Sequence, residues 1–244
     1  MELPMETTNE IDKTLAVFLA KVCMQTYNQY ANDGNFDIPD GYNLVEGFKA
    51  TVLNRTEWFG FIIRSGDTIV VAFRGTQSET DWLANANAYQ TSYAFAPGRG
   101  KVHHGFMDIY ESCREQILHT LLSFSANSNI YITGHSLGAA LAVINALDIA
   151  ANTFFKPVMY NFAGPRVGNP IFAFKYNRLV TNSVRIVNQH DLVPQLPPVI
   201  ILTPLPSKLL YYQHVKRDYK ISFQMNSIKG NHNLDNYLEA LAIL

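Results

Sequence analysis

The most constraining feature of the sequence is the stretch from Asn129 to Ala142, which reads NIYITGHSLGAALA. Its first half is a short apolar run typical of a buried strand, its second half is typical of a buried helix, and Ser136 lies at the junction. Gly134 and Gly138 flank the serine, where the backbone of such a tight turn leaves no room for a side chain. The pattern predicts a nucleophile elbow, in which the start of the helix favours negative charge beside Ser136.

Length and charge limit the possible classes of protein. The chain has 244 residues, 48% of them hydrophobic, which suits one α/β domain over residues 1–244. The net charge is −1 without runs of like charge, so we expect neither nucleic acid nor an anionic membrane surface as a partner. No apolar run is long enough to span a bilayer, and the chain as given lacks a secretory signal, which fits a cytoplasmic protein or a secreted one without its signal. Cys23 and Cys113 lie on apolar helix faces and are expected to be buried thiols.

Strand-like and helix-like segments alternate along most of the chain. A capping box at residues 7–10 predicts an N-terminal helix that runs to about Tyr30. The segments predicted after it are a hairpin of 51–64 with 68–74, a helix over 106–121, the elbow, a strand at 158–163, a helix at 171–179, a strand at 183–187, a β pair of 212–216 with 219–224, and a terminal helix at 234–244. This alternation predicts an α/β fold with a central, mostly parallel sheet.

A serine nucleophile needs a histidine to take its proton and a carboxylate to orient that histidine. In an elbow of this kind the acid follows the serine in the chain, and the histidine follows the acid. Asp191 fits as the acid because it comes shortly after the predicted strand 183–187, whereas Asp218 and Asp235 are weaker alternatives. Of the two histidines that follow Asp191, we favour His232, in a mobile and exposed loop, over His214, in a predicted strand.

The other histidines that attract attention have simpler interpretations. His135 points away from the elbow and is expected to be structural, and His190 is expected to shape the loop that carries the acid. The adjacent His103 and His104 lack a third ligand at a recognisable spacing, so we interpret them as loop packing and predict no metal site.

An oxyanion hole needs two backbone donors. One comes from the residue after the nucleophile, here Leu137, and the other from a loop after an earlier strand. Thr76 is placed for the second role because Arg74-Gly75-Thr76 ends a predicted strand, and its hydroxyl offers a further donor. The alternative is a plain turn at the end of that strand.

Taken together, these motifs resemble the class 3 lipase family of α/β-hydrolases. The resemblance rests on the segments 73–76, 81–82, 102–106, 134–142, 162–169 and 191–197 and on the His232 loop, in this order. It implies an α/β-hydrolase fold with helices on both faces of the sheet. It also implies Ser136, Asp191 and His232 as a catalytic triad, Thr76 and Leu137 as the oxyanion hole, and residues 77–87 as a lid. The chain departs from the family in having Ala139 in place of a third glycine and in lacking the disulfides of secreted fungal members.

The resemblance implies a serine carboxylic ester hydrolase that cleaves acylglycerols or similar esters without a cofactor or metal. A feruloyl-type or phospholipid-type esterase on the same scaffold, or an inactive binding member, are the alternatives. A lipid–water interface is a possible transient partner, and a monomer is favoured. Trp82 and Leu83 are the predicted apolar residues of the lid. The aliphatic, proline-rich segment 193–202 is the predicted acyl-pocket wall, with core packing as the alternative; the residues singled out in it are Val193, Leu196 and Val199.

Overall fold

A central β-sheet carries the elbow. The computed structural model describes residues 11–76, 89–96, 98, 100–203 and 207–243. The strands in this part of the chain are β1 (Asn43–Val52), β2 (Arg55–Ser65), β3 (Thr68–Phe73), β4 (Gln90–Ser92), β5 (Lys101–His103), β6 (Asn129–His135), β7 (Val158–Phe162), β8 (Asn182–Asn188), β9 (Ile200–Thr203), β10 (Lys208–Tyr211) and β11 (Asp218–Ile221). Seven of these described strands form the main sheet in the order β1-β2-β3-β6-β7-β8-β11.

The sheet is mostly parallel. Strands β1, β2 and β3 pair antiparallel, and every pairing from β3 through β6, β7 and β8 to β11 is parallel. Strand β6 is therefore central, and the carboxyl ends of β3, β6 and β8 meet at one edge of the sheet. Loops at this edge bring together residues that are distant in the chain. The predicted fold class is confirmed.

Helices cover both faces of the sheet. Within the described ranges they are α1 (Lys13–Ala31), α2 (His104–Leu122), α3 (Leu137–Asn152), α4 (Pro170–Leu179), α5 (Ile228–His232) and α6 (Leu234–Ile243). Strand side chains alternate between the two faces, so that Val71 and Ile132 pack with residues of α2 and α3, whereas Val70 and Ile186 pack with α1 and α6. Each face thus has its own apolar core, and α3 is buried along most of its length. No helix in the described part of the chain is long and apolar enough to cross a membrane.

The first predicted hairpin is confirmed in its pairing, but its first strand was placed incorrectly. Strands β2 and β3 pair antiparallel and close at Ser65 and Thr68. The chain before β2 turns at Leu53 and Asn54, which have φ angles of 47° and 64°, and strand β1 precedes this turn. The sequence prediction ran across the turn because it contains no glycine or proline, although asparagine tolerates this left-handed conformation.

Two further boundaries differ from the sequence prediction. Residues 7–10 lie outside the described part of the chain, and α1 begins instead after Asp12, whose carboxylate accepts the Leu15 N–H at 2.9 Å as an N-cap.

The predicted pairing of 212–216 with 219–224 is wrong. Strand β11 instead extends the main sheet beside β8, and β10 pairs with β9 in a separate two-stranded hairpin.

Both cysteines are free, buried thiols, as predicted. The Sγ atom of Cys23, in α1, lies 3.1 Å from Oγ1 of Thr133, in β6. This contact joins the N-terminal helix to the strand that leads into the elbow, and burial raises the pKa of the Cys23 thiol to about 12.

Candidate active site

Ser136 lies on a strained turn between β6 and α3. Its φ and ψ angles are 59° and −125°, a region that side-chain-bearing residues rarely occupy, and its N–H donates to the carbonyl of Phe162 at 3.1 Å. A Cβ atom on Gly134 would overlap the backbone of Gly138, and one on Gly138 would overlap the carbonyl oxygen of Phe73. The two glycines are therefore required by close backbone approach, as the sequence pattern predicts.

Asp191 and His232 come together across 41 positions of the chain. The Nδ1 atom of His232 lies 2.7 Å from Oδ2 of Asp191, and both side chains are almost wholly buried. Because a carboxylate only accepts hydrogen bonds, Nδ1 carries a proton and Nε2 of the neutral ring is left as the basic nitrogen. That Nε2 is buried and has no hydrogen-bond partner among the described residues. The pair has the geometry of an oriented general base.

The expectation of an exposed His232 is wrong. His232 is the last residue of the short helix α5, which Ser227 caps by accepting the Gly230 N–H at 3.0 Å. Its side chain is 0% exposed, and its ring lies against that of His135 beside the elbow. The helical turn, rather than a swinging loop, sets the position of the imidazole.

Tyr237, in α6, is a site residue that the sequence analysis missed. Its hydroxyl donates to Oδ2 of Asp191 at 2.8 Å and accepts the backbone N–H of Asn188 at 2.9 Å. Burial, and next the charge of Asp191, raise the pKa of Tyr237 well above its usual value, so the phenol stays protonated. In the sequence it is one aromatic residue on an apolar helix face, which by itself indicates only core packing.

His135 connects the elbow to the base. The ring of His135 lies 4.6 Å from that of His232, and its Nε2 is 2.9 Å from the carbonyl oxygen of His232, so that Nε2 carries a proton. Its Nδ1 then accepts from the hydroxyl of Tyr27 at 2.7 Å. Burial, and next the proximity of His232, lower the pKa of His135 well below 6.5. A neutral His135 thus fixes the backbone of His232 next to Ser136, a structural role like the one predicted for it.

Thr76 and Leu137 flank the nucleophile. Leu137 is the first residue of α3, and Thr76 follows Gly75, where an added Cβ atom would lie 3.1 Å from Cβ of Ser136. The strand end before Thr76 is held by Arg74, whose guanidinium binds Glu57 at 2.9 Å. Thr76 also borders a cavity of about 330 Å³. Both predicted oxyanion-hole residues therefore lie next to the serine.

The structure describes the residues predicted for the acyl pocket but not those predicted for the lid. Val193 is buried, Leu196 is partly buried and Val199 is 54% exposed, so the predicted wall is not a single continuous surface. Trp82 and Leu83, with the rest of the predicted lid at 77–87, lie outside the described residues, and their roles stay predictions.

His214, the alternative base, and Asp218, one alternative acid, have partners other than the Asp191–His232 pair. His214 donates from Nε2 to the carbonyl of Pro194 at 2.7 Å, and the ring of His190 contacts the side chains of Ser222 and Gln224. Asp218 begins β11, where it pairs with a residue of β8. His214 and His190 therefore support the loop that carries Asp191.

His103 and His104 take separate roles in packing. The ring of His103 stacks on Phe106 at 4.2 Å, whereas His104 pairs with Asp108 at 3.1 Å. Within the described ranges, no group of three His, Cys, Asp or Glu side chains is arranged to hold a metal ion.

Comparison with known proteins places this geometry in a family. Residues 70–200, more than half of the chain, match the model of the family described as Lipase (class 3). The chain is 31% identical to the galactolipase DONGLE of Arabidopsis thaliana over 82% of its own length and 55% of the relative's. It is 36% identical to a lipase of Rhizomucor miehei over 55% of its own length and 39% of the relative's.

A solved structure extends the likeness over most of the fold. The mono- and diacylglycerol lipase of Aspergillus oryzae superposes with a TM-score of 0.72 at 28% identity, covering 89% of this chain and 82% of that one. The chain spans about half the length of the curated plant relatives that it matches. Because the family match includes the elbow strand, Ser136 and the Asp191 loop, this chain belongs to the class 3 lipases.

Proposed function

We propose that this chain hydrolyses the carboxylic esters of glycerolipids through an acyl-enzyme formed on Ser136. The observation that carries the proposal is the buried hydrogen bond of 2.7 Å between Asp191 and His232, beyond which Nε2 of His232 has no hydrogen-bond partner in the described ranges. The contact of His135 with the His232 carbonyl puts this base next to the elbow. Family membership supports the same chemistry.

The proposed sequence of steps assigns one task to each group. Nε2 of His232 takes the proton of the Ser136 hydroxyl while Oγ attacks the ester carbonyl carbon. Asp191 stabilises the imidazolium that forms, and the N–H groups of Thr76 and Leu137 stabilise the oxyanion. His232 then returns the proton to the departing alcohol, and water repeats the sequence on the acyl-enzyme to release the fatty acid.

Access to the proposed nucleophile is narrow, because Ser136 is only 4% exposed and His232 is fully buried. We propose that residues 77–87, the lid predicted from the sequence, control the entry of an ester group to Oγ of Ser136.

The names of the relatives support glycerolipids as the substrate class. One relative is named a galactolipase, another a phospholipase A1, and a third a lipase. The lipids that these names indicate share an acyl ester on glycerol and differ in the group at the third carbon of the glycerol. None of these three names refers to a feruloyl-type ester, so we place it below phospholipid and galactolipid esters.

The test combines covalent labelling with a matched set of substrates. A fluorophosphonate should label the wild-type chain and fail to label Ser136→Ala. Hydrolysis should then be measured on dispersed triacylglycerol, phosphatidylcholine and galactosyl diacylglycerol of the same acyl length, and on a dissolved short-chain ester. Labelling without turnover of any glycerolipid would contradict the substrate class, and the absence of both labelling and turnover would contradict the enzyme assignment.

A further inference from the structure

The hairpin of β9 and β10 exposes one apolar face. Its register pairs Leu202 with Leu209 and Ile200 with Tyr211. Directly paired residues of an antiparallel hairpin lie on the same face, and residues two apart do so as well, so these four side chains form one surface. They are between 47% and 65% exposed, whereas Ile201 and Leu210, on the opposite face, are partly buried. We call these four residues the hairpin face.

The hairpin is attached to the loop that carries the catalytic acid. Arg166 binds the carbonyl oxygens of Gln195 and Pro197 with its guanidinium, and its N–H donates to Leu196 at 2.7 Å. Strand β9 begins three residues after Pro197. At the open end of the hairpin, the N–H of Tyr212 donates to the carbonyl of Val199 at 2.9 Å. The hairpin face therefore has a fixed position relative to Asp191.

One contact joins the hairpin to β4, and one further apolar residue is exposed beside the catalytic acid. The side chain of Gln90, in β4, donates to the carbonyl of Tyr211 at 2.8 Å, and the predicted lid precedes β4 in the chain. Leu192, next to the catalytic acid, is itself half exposed. The loop that carries Asp191 thus exposes an apolar side chain of its own.

The charge of the hairpin indicates which kind of surface it fits. Among its described residues, 200–203 and 207–211, Lys208 is the one charged side chain. Four adjacent exposed apolar side chains on a short two-stranded sheet favour removal from water. A single cation gives little attraction to anionic lipid, so the face matches a neutral or zwitterionic lipid surface better than an acidic one.

We infer that the hairpin face docks on a zwitterionic lipid surface and holds the catalytic edge of the sheet against it. The inference rests on the proposed function, since a glycerolipid substrate is presented in such a surface. It adds a binding surface that is separate from the predicted lid and is already exposed before substrate is reached.

The experiment measures binding without hydrolysis. The 244-residue chain carrying Ser136→Ala is mixed with phosphatidylcholine vesicles, and the bound fraction is followed by flotation at increasing lipid concentration. We expect Leu209→Asp in this background to weaken binding about tenfold or more, because a leucine that enters the apolar layer is replaced by a charge. Leu202→Asp, on the paired strand, should give a similar loss and serves as the second variant.

Phe154→Asp is the matched control. Phe154 is 89% exposed and follows the carboxyl end of α3, at the end of that helix remote from Ser136. The same change in chemistry there should leave vesicle binding within about twofold of the parent. Binding of the parent should also change little between low and high salt, because one cation contributes little to attraction.

Several outcomes would overturn the docking surface. The first is that the Ser136→Ala parent does not bind vesicles. The second is that Leu209→Asp binds vesicles as well as the parent does, at unchanged melting temperature. The third is that Leu209→Asp and Phe154→Asp lose vesicle binding to the same extent. If Leu209→Asp converted a dimer to a monomer without loss of vesicle binding, the face would instead join two copies of the chain. Turnover of a dissolved short-chain ester is measured separately, on the wild type and on Leu209→Asp with Ser136 intact. If the wild type failed to hydrolyse this ester, the result would count against the proposed function alone.

Discussion

The hydroxyl of Tyr237 donates to Oδ2 of Asp191 at 2.8 Å, and that same oxygen lies 2.7 Å from Nδ1 of His232. The other carboxylate oxygen, Oδ1, accepts the N–H of Val193 at 2.9 Å. Asp191 is thus held by three donors in a buried place, where a polar group needs hydrogen-bond partners. Tyr237 links this carboxylate to helix α6, so that the terminal helix contributes to the alignment of the proposed base.

Tyr237→Phe should therefore impair both catalysis and folding. The change removes a charge-assisted hydrogen bond to Asp191 and leaves the N–H of Asn188 without its acceptor, at a cost of about 1–3 kcal/mol in the free energy of unfolding. We expect kcat on a dissolved ester to fall by about threefold to thirtyfold, with a smaller change in KM. Tyr219→Phe, which removes a hydroxyl with no hydrogen bond among the described residues, is the control. Equal effects of the two variants would contradict a positioning role for Tyr237.

The proposed triad predicts a large and non-additive loss of turnover. Ser136→Ala and His232→Ala should each lower kcat by on the order of a million-fold, and Asp191→Asn by about ten-thousand-fold, because the three residues act as one unit. The double variant Ser136→Ala with His232→Ala should be no worse than either single change. His214→Gln tests the alternative base and should retain most of the activity. Abolition by His214→Gln, with activity kept in His232→Ala, would reverse the assignment.

Thr76 is predicted to stabilise the oxyanion with its hydroxyl as well as its N–H. Thr76→Gly retains the backbone donor and removes the hydroxyl, so we expect kcat to fall by about tenfold to a thousandfold with little change in KM. Thr76→Ser retains the hydroxyl and should recover most of the loss. Unchanged turnover in Thr76→Gly, measured on a dissolved ester, would limit Thr76 to its backbone group.

Acid should destabilise the fold through three histidines, of which His103 and His135 are buried and His214 is partly buried. Burial is the main cause that lowers the pKa of His103 to about 4, that of His214 to about 3 and that of His135 well below 6.5. In the unfolded chain these groups bind protons near pH 6.5, so the unfolded state holds more protons as the pH falls from about 6.5 toward 4. The free energy of unfolding should be nearly flat with respect to these groups above pH 7 and fall by up to about 4 kcal/mol per pH unit near pH 5.

Urea unfolding at several pH values between 7.5 and 5 measures this slope. His214→Gln removes one of the three titrating groups and retains a side-chain donor for Pro194, so the slope should decrease by about a third. His119→Gln is the control, because His119 lies toward the carboxyl end of α2, outside the catalytic site, and is not one of these three histidines. Stability that is independent of pH between 6.5 and 5 would contradict the prediction.

The elbow and the order of the site residues are readable from the sequence for local physical reasons. Gly134 is needed because backbone atoms of Gly138 and Ala139, a few residues later, crowd it, and the strand before Ser136 and the helix after it carry clear apolar patterns. Asp191 could be predicted because it follows a buried strand at the edge of the sheet where loops converge. These features depend on short stretches of chain, which is the range that sequence patterns report.

Tertiary structure decided the features that depend on distant partners. The sequence around His232 suggests an exposed loop, but α5 and the contact with His135, 97 positions away, bury it. Tyr237 belongs to the site through Asp191, 46 positions away, and β11 joins β8 rather than the segment before it. Hydrogen bonds and parallel pairings of this kind are selected by burial and geometry after the chain has folded back on itself. Local propensity and periodicity, which register only near neighbours, do not encode them.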